Sequence, residues 1–88
     1  MLKLIAAVSA TLIAGSALAS ADCTKHPKAE WMPEAQAQAK ITEMGYKIKK
    51  FKVSGECYEI YGWNKEGKKA EVYFDTKDLS IVKSEIGK

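Results

Sequence analysis

Apolar and polar positions in the middle of the chain alternate with the period of a helix. Residues 34–44 are good helix formers, and Ala37, Ile41 and Met44 recur at the i, i+4, i+7 spacing of a single apolar stripe. Gly45 follows at the place where a left-handed helix C-terminus is expected. The pattern predicts one short amphipathic helix, whose small side chains allow close packing against a flat surface.

After this helix the period changes to that of β-strands. Four segments predict strands, at residues 46–53, 57–63, 68–75 and 79–84, and the last residues, 85–88, are expected to fray. In the first segment the apolar positions change parity, which predicts a bulge near Lys49 and Lys50. Its four lysines suit an edge strand. The predicted fold is therefore α+β, with one helix packed on a three- to four-stranded antiparallel sheet.

The loop between the second and third strands decides which side chains share a face. A four-residue loop would pair apolar with charged positions, such as Ile60 with Glu71. A three-residue loop with a left-handed Gly67 instead sets Ile60 opposite Val72 and makes one face wholly apolar. This second register is the predicted one. It sends six side chains to the other face: Glu59, Tyr61, Trp63, Lys69, Glu71 and Tyr73.

The second face is the most informative feature for function. Tyrosine and tryptophan among polar residues are typical of protein contact surfaces. The alternative is that cross-strand aromatic and charged pairs only stabilise an exposed sheet. The predicted partner-binding surface consists of Tyr61, Trp63, Tyr73, Glu59 and Glu71.

The N-terminus has the pattern of a secretory signal peptide. Lys3 precedes an apolar run from residue 4 to residue 14, and small residues follow. The run is shorter than the ~20 apolar residues that a membrane-spanning helix needs, and no later segment comes closer. Cleavage is expected after Ala19 or Ala21, with the second favoured. The predicted organisation is a signal peptide at 1–21 and a single domain at 22–88.

Export changes the interpretation of the two cysteines. Cys23 and Cys57 both follow the signal peptide, and an exported chain meets an oxidising compartment. A disulfide between them would stabilise the domain by roughly 3–4 kcal/mol. The rival hypothesis is a metal site that begins with Cys23 and His26, but a structural zinc site needs four ligands. The disulfide is the prediction, with no metal and no cofactor.

Composition and charge argue against several classes of function. The formal net charge of +3 is small, and every basic residue is lysine, so neither nucleic acid nor a specialised anion is expected as a partner. His26 is the single histidine and lies beside Pro27, away from any nucleophile. Glu59 and Glu71 share a face, but surface carboxylates on a sheet are far more often solvated than catalytic. The sequence predicts a protein that is not an enzyme.

The order and spacing of several motifs resemble those of PepSY domains. They are Trp31, Ala37, Ile41, the run Met44-Gly45-Tyr46-Lys47-Ile48, the run Cys57-Tyr58-Glu59-Ile60, Gly67 and the run Glu71-Val72-Tyr73-Phe74-Asp75. The small exported members pair an early cysteine with such a Cys-Tyr-Glu strand. The chain departs from the usual pattern after Asp75, where the turn lacks a glycine.

The resemblance implies a helix on an antiparallel sheet and a role without catalysis. PepSY domains occur in propeptides of secreted metallopeptidases and in extracytoplasmic regulators, so a peptidase is the expected kind of partner, in the periplasm or outside the cell. Two other hypotheses stay open. One is a ligand or metal carrier that uses His26, Met32, Met44 or the aromatic face, and the other is a homodimer that buries this face.

Overall fold

The computed structural model describes residues 21–87 and has one helix on a four-stranded sheet. Its elements are a 3₁₀ turn at Lys28–Glu30, helix α1 at Glu34–Glu43, and strands β1 (Lys47–Ser54), β2 (Cys57–Trp63), β3 (Lys69–Asp75) and β4 (Ile81–Ile86). The sheet is antiparallel in the order β1-β2-β3-β4. The α+β class is confirmed. The predicted signal peptide lies, except for Ala21, outside the described residues.

Helix α1 packs on the sheet through two small or branched residues. Ala37 and Ile41 are fully buried, as the apolar stripe predicts. Met44 is 41% exposed, so its place in the stripe was wrong, because it follows the last helical residue where the chain already turns toward β1. Gly45 makes that turn in the left-handed region, with φ of 108°.

The β2–β3 hairpin has the predicted register. Ile60 pairs with Val72, and the backbone N–H of Asn64 donates to the Lys68 carbonyl at 2.8 Å. The Asn64 side chain accepts hydrogen bonds from two backbone N–H groups inside the loop, and Gly67 adopts φ of 81°. This loop chemistry explains why the three-residue form is stable.

Strand β1 is an edge strand with the predicted bulge. Its register with β2 shifts between Ile48 and Lys50, so Lys49 is the extra residue. Gly62 lies opposite the start of β1. Glycine is required at this position because the two backbones are close together, and not because of its dihedral angles. A Cβ atom at Gly62 would lie 1.9 Å from the carbonyl oxygen of Lys47, so only glycine allows the two backbones to approach this closely.

The core lies between α1 and the inner face of the sheet. Its fully buried side chains include Ile60, Val72 and Phe74. The Tyr58 ring forms an edge-to-face contact with Trp31, with ring centroids 5.5 Å apart. The Tyr58 hydroxyl donates to the Met32 carbonyl, so the polar atom of this buried aromatic side chain has a hydrogen-bond partner.

The fourth strand begins later than predicted. Leu79 was expected to start it, but Leu79 adopts φ of 63° and belongs to the turn. Its side chain is 2% exposed, and burial of this apolar side chain offsets the backbone strain. The strand therefore starts at Ile81. Glu85 pairs with Glu71 and Ile86 pairs with Ala70, so the prediction that this part frays was wrong.

The N-terminal segment is tied to one end of β2 and β3. The predicted Cys23–Cys57 disulfide is present, and the His26 ring lies 2.9 Å from an Asp75 carboxylate oxygen. Asp75 also accepts hydrogen bonds from the backbone N–H of Lys77. Burial alone would raise the pKa of the Asp75 carboxyl, but the hydrogen bonds from His26 and the turn outweigh it and lower that pKa. Within residues 21–87, no helix has the length and apolar character needed to cross a membrane.

We expect Gly62→Ala to destabilise the domain by about 2 kcal/mol or more, because the added methyl group meets the rigid backbone at Lys47. β-propensity alone predicts the opposite sign. Chemical denaturation measures the effect. Gly55→Ala is the comparison, since Gly55 has positive φ but open space around it and should lose only ~1 kcal/mol. An unchanged or higher stability of Gly62→Ala would contradict the close contact.

We expect Asp75→Asn to cost about 1–2 kcal/mol near neutral pH. Because folding lowers the pKa of Asp75, its contribution is complete above the unfolded-state pKa and is lost as pH falls through the folded-state pKa. The difference in free energy of unfolding between Asp75→Asn and the wild-type protein should therefore shrink below about pH 4. Denaturation curves across this range measure it, with the exposed Asp22→Asn as control. A difference that is independent of pH would contradict the charge-assisted role.

Candidate functional site

The outer face of the sheet, which points away from α1, gathers the six side chains that the register predicts. Three cross-strand pairs place them side by side: Trp63 with Lys69, Tyr61 with Glu71, and Glu59 with Tyr73. The sequence therefore located the face and its members correctly. The N-terminal segment covers only the end where Cys57 pairs with Asp75.

The accessible part of this face is smaller than expected. Tyr61 is 38% exposed, but Tyr73 is 3% and Glu59 is 1% exposed, so the expectation that both were open to solvent was wrong. Long side chains from the two edge strands lie on this face. Lys83 of β4 lies over the Tyr73 ring and Lys52 of β1 lies over the Tyr61 ring, each with its ammonium 5.9 Å from the ring centre.

Two carboxyl groups interact at the centre of the face. Burial raises the pKa of Glu59, and the hydrogen bond with Glu71 raises it further. Burial also acts to raise the pKa of Glu71, but the hydrogen bonds from Glu59 and Tyr73 outweigh it and lower that pKa. The two titrations are therefore linked, and Glu59 keeps its proton to a higher pH than Glu71 does.

The tyrosines of the outer face act as hydrogen-bond donors to this pair. The Tyr73 hydroxyl donates to Glu71 Oε2 at 3.1 Å. A hydrogen bond with Glu59, together with partial burial, raises the pKa of Tyr61 to about 12, and burial and Glu71 raise the pKa of Tyr73 as well. Both hydroxyls stay protonated near neutral pH, so this face holds no activated phenolate nucleophile.

A groove of about 280 Å³ opens beside the carboxyl pair, at the hairpin end of the face. Tyr61 and Trp63 supply its aromatic lining, and Glu71 lies on its wall. Four more lining residues are Lys49, Lys69, Ala70 and Glu85. The charged lining is mixed, with Lys49 on β1 and Lys69 on β3 beside Glu71 on β3 and Glu85 on β4. The groove therefore offers both apolar and charged surface.

Two charged residues of the groove were missed by sequence reasoning. Lys49 is the bulged residue of β1, and a bulge re-aims the side chain that it carries. Glu85 was assigned to a frayed tail but pairs with Glu71. The parity change in β1 was a usable signal for Lys49. Nothing in the local sequence signalled the left-handed Leu79 that delays β4.

The residues of the metal-carrier hypothesis have other partners. His26 pairs with Asp75, and Cys23 is bonded to Cys57. Met32 contributes its backbone to Tyr58 and Thr76. Within the part of the chain that the structure describes, three or more histidine, cysteine, aspartate or glutamate residues do not converge to hold a metal ion.

The fold and its outer face define a small α+β module in which one helix covers an antiparallel sheet. The family model described as "Peptidase propeptide and YPEB domain" (PepSY_2) matches residues 3–85, nearly the entire chain. The protein therefore belongs to the PepSY family, as its motifs suggested. PepSY domains are generally non-catalytic propeptide or regulatory modules, and they occur in exported proteins. Searches of curated proteins and of solved structures found no match.

We expect Glu59→Gln to be more stable than the wild-type protein at about pH 8. The raised pKa of Glu59 means that its favourable contribution is complete below the unfolded-state pKa and is lost as pH rises through the folded-state pKa. Glutamine stays neutral and still donates to Glu71, so its advantage should vanish near pH 4. Denaturation curves at both pH values measure this. The exposed Glu66→Gln is the control, and a stability loss at pH 8 would contradict the raised pKa of Glu59.

Proposed function

We propose that the protein is an exported, non-catalytic binding module that modulates a peptidase in the cell envelope through its outer face. The observation that supports this most directly is the groove with exposed Tyr61 and half-buried Trp63, in a domain whose family includes peptidase propeptides. An aromatic groove with charged walls suits the anchoring of a protein segment. The buried members of the face, Tyr73 and Glu59, form the neighbouring cross-strand pair on β2 and β3.

The chemistry of the face favours binding over catalysis. The two carboxyls are hydrogen-bonded to each other, the two tyrosines remain protonated near neutral pH, and His26 is held by Asp75 at the far end of the sheet. A hydrolase needs a nucleophile with an adjacent base, and the outer face supplies neither. We therefore propose that the protein regulates catalysis by another protein and carries none itself.

We further propose that residues 1–21 are a signal peptide and that residues 22–88 form the exported domain. The Cys23–Cys57 disulfide fits an oxidising compartment, and the charge and apolar pattern at the N-terminus fits export. The mass of the protein recovered from the periplasm or medium tests this. It should begin at Ser20 or Asp22, and recovery of the intact chain from the cytosol would contradict it.

We expect Trp63→Ala to weaken partner binding by roughly 2 kcal/mol or more, as loss of an aromatic anchor does, while stability changes by less than ~1 kcal/mol. Affinity capture from envelope extracts, with retained peptidases quantified by mass spectrometry, measures binding. Thermal melting measures stability of the same protein samples. Lys65→Ala, an exposed change in the hairpin loop, is the matched control.

Two outcomes would contradict the proposal. If Trp63→Ala retains the same envelope proteins as the wild-type protein, the outer face is not the binding surface. If Trp63→Ala lowers stability by several kcal/mol, Trp63 is a core residue and the loss of binding has no specific meaning. Sedimentation at several protein concentrations tests the homodimer hypothesis separately, since self-association through this face would depend on concentration and on Trp63.

A further inference from the structure

We infer that the outer face holds a subsite for a basic side chain, lysine or arginine, of a partner's extended segment, with Glu71 as its acceptor, Glu59 behind it, and Tyr61 and Trp63 as its walls. The inference rests on the proposed function, because it assumes that this face binds a protein. It adds the type of side chain that the partner would place in the groove. The argument begins with the buried carboxyl of Glu59.

Glu59 is unusual because it is buried without a complete set of partners. Its side chain is 1% exposed, and its Oε2 atom has no hydrogen-bond partner within residues 21–87. Buried polar atoms are almost always paired, and a buried carboxyl seldom persists in an apolar setting unless it is paired or protonated. The Glu59 carboxyl is hydrogen-bonded to Glu71, which lines the groove. A buried carboxyl with an unpartnered oxygen therefore lies behind the carboxylate that a ligand can reach.

Two lysines, Lys49 and Lys69, line the groove, but neither forms an ion pair with the carboxyl pair. The ion pairs within residues 21–87 are His26–Asp75, Lys77–Glu30 and Lys83–Glu85, and none includes Glu59 or Glu71. Lys52 and Lys83 lower the pKa values of the pair from a distance, while their ammonium groups lie over tyrosine rings. In β4, Glu85 pairs with Glu71 in the strand register, but its carboxylate lies 3.7 Å from the Lys83 ammonium. Glu71 is therefore the groove carboxylate that lacks an ion pair within the described residues, and a partner's cation would supply one.

The groove selects an organic cation on a long stem. Tyr61 and Trp63 present aromatic surface that leads toward Glu71, and the stem and charge of lysine or arginine match such a path. Lys52 and Lys83 already lie over the rings of this face in the same manner. A metal ion fits less well, because three metal-ligating side chains do not converge anywhere in residues 21–87. The segment that carries the basic side chain must be extended and narrow enough for a groove of about 280 Å³.

Occupation of the subsite by a cation opposes protonation of the carboxyl pair. The charged groups that face the pair are Lys52 on β1 and Lys83 and Glu85 on β4. The other facing groups, Tyr61 and Tyr73, stay neutral below the raised pKa of each hydroxyl. Affinity for a basic side chain should fall as the pH falls, because protons compete for the same oxygen atoms.

The test uses two peptides and the protein obtained by expressing the full chain. The probe is the acetylated and amidated peptide Gly-Ser-Arg-Ser-Gly, and the matched control replaces arginine with neutral citrulline. Nuclear magnetic resonance follows the Trp63 indole N–H and the Tyr61 and Glu71 backbone amides. We expect the arginine peptide to bind saturably. The affinity of the citrulline peptide should be lower by roughly tenfold or more. Binding should weaken between about pH 8 and about pH 5.

The matched protein variants are Glu71→Gln and Glu66→Gln. Glu71→Gln keeps the acceptor for Tyr73, so it should fold normally and lose roughly tenfold in affinity. Glu66 lies in the exposed hairpin loop, and its variant should bind as the wild-type protein does. Equal binding of both peptides, or unchanged binding by Glu71→Gln, would overturn the inference. Arginine amide that binds as tightly as the peptide would identify a small free cation as the ligand and overturn it as well.

The subsite and the proposed function can fail separately. If envelope proteins are captured in a manner that depends on Trp63 but not on Glu71, the binding module stands and the basic subsite is wrong. If the arginine peptide binds through Glu71 while no envelope peptidase is captured, the subsite stands and the proposed partner is wrong.

Discussion

The pairing register of β2 and β3 is the constraint on which the rest of the structure depends. A slip of one residue would turn one strand over relative to the other, which would pair Ile60 with Glu71 and mix apolar and charged side chains on both faces. The loop prevents this slip because Asn64 closes it and Gly67 supplies the left-handed turn. A few loop hydrogen bonds thus determine where the apolar core forms. They also determine which charged groups meet on the outer face.

The two ends of this hairpin serve different purposes. At the Cys57–Asp75 end, a disulfide and the His26–Asp75 pair hold the N-terminal segment on the sheet. A domain of this size gains only a few kcal/mol from its core, so such cross-links contribute a large share of its stability. At the Trp63–Lys69 end the strands lack this cover, and the groove opens there. The cross-links therefore lie at one end of β2 and β3, and the accessible groove lies at the other end.

The sequence predicted the fold well where the pattern of one strand was sufficient. The register followed from the alternation around Ile60 and Val72, and the bulge followed from a parity change within β1. Each of these features is encoded in a few consecutive residues. The helix was predicted for the same reason, apart from Met44 at its end. The tie between His26 and Asp75 was not predicted, because it joins two segments that are 49 positions apart.

The burial on the outer face could not be predicted from the strands that form it. Lys83 of β4 lies over the Tyr73 ring, and Lys52 of β1 pairs with Glu59 in the strand register, so the surroundings of both side chains depend on the flanking strands. The position of β4 in turn depends on Leu79, whose backbone conformation is unfavourable for leucine outside this buried turn. A local pattern cannot show that the gain from burial exceeds such strain.

Opposite pKa shifts explain how the sheet tolerates two adjacent glutamates at its centre. If Glu59 and Glu71 were both charged, repulsion and lost hydration would oppose folding. The raised pKa of Glu59 and the lowered pKa of Glu71, with tyrosine donors nearby, reduce this cost. The Glu71 carboxyl lines the groove and that of Glu59 does not. The arrangement that lowers the cost within the sheet therefore also leaves one carboxylate at the surface where a partner would bind.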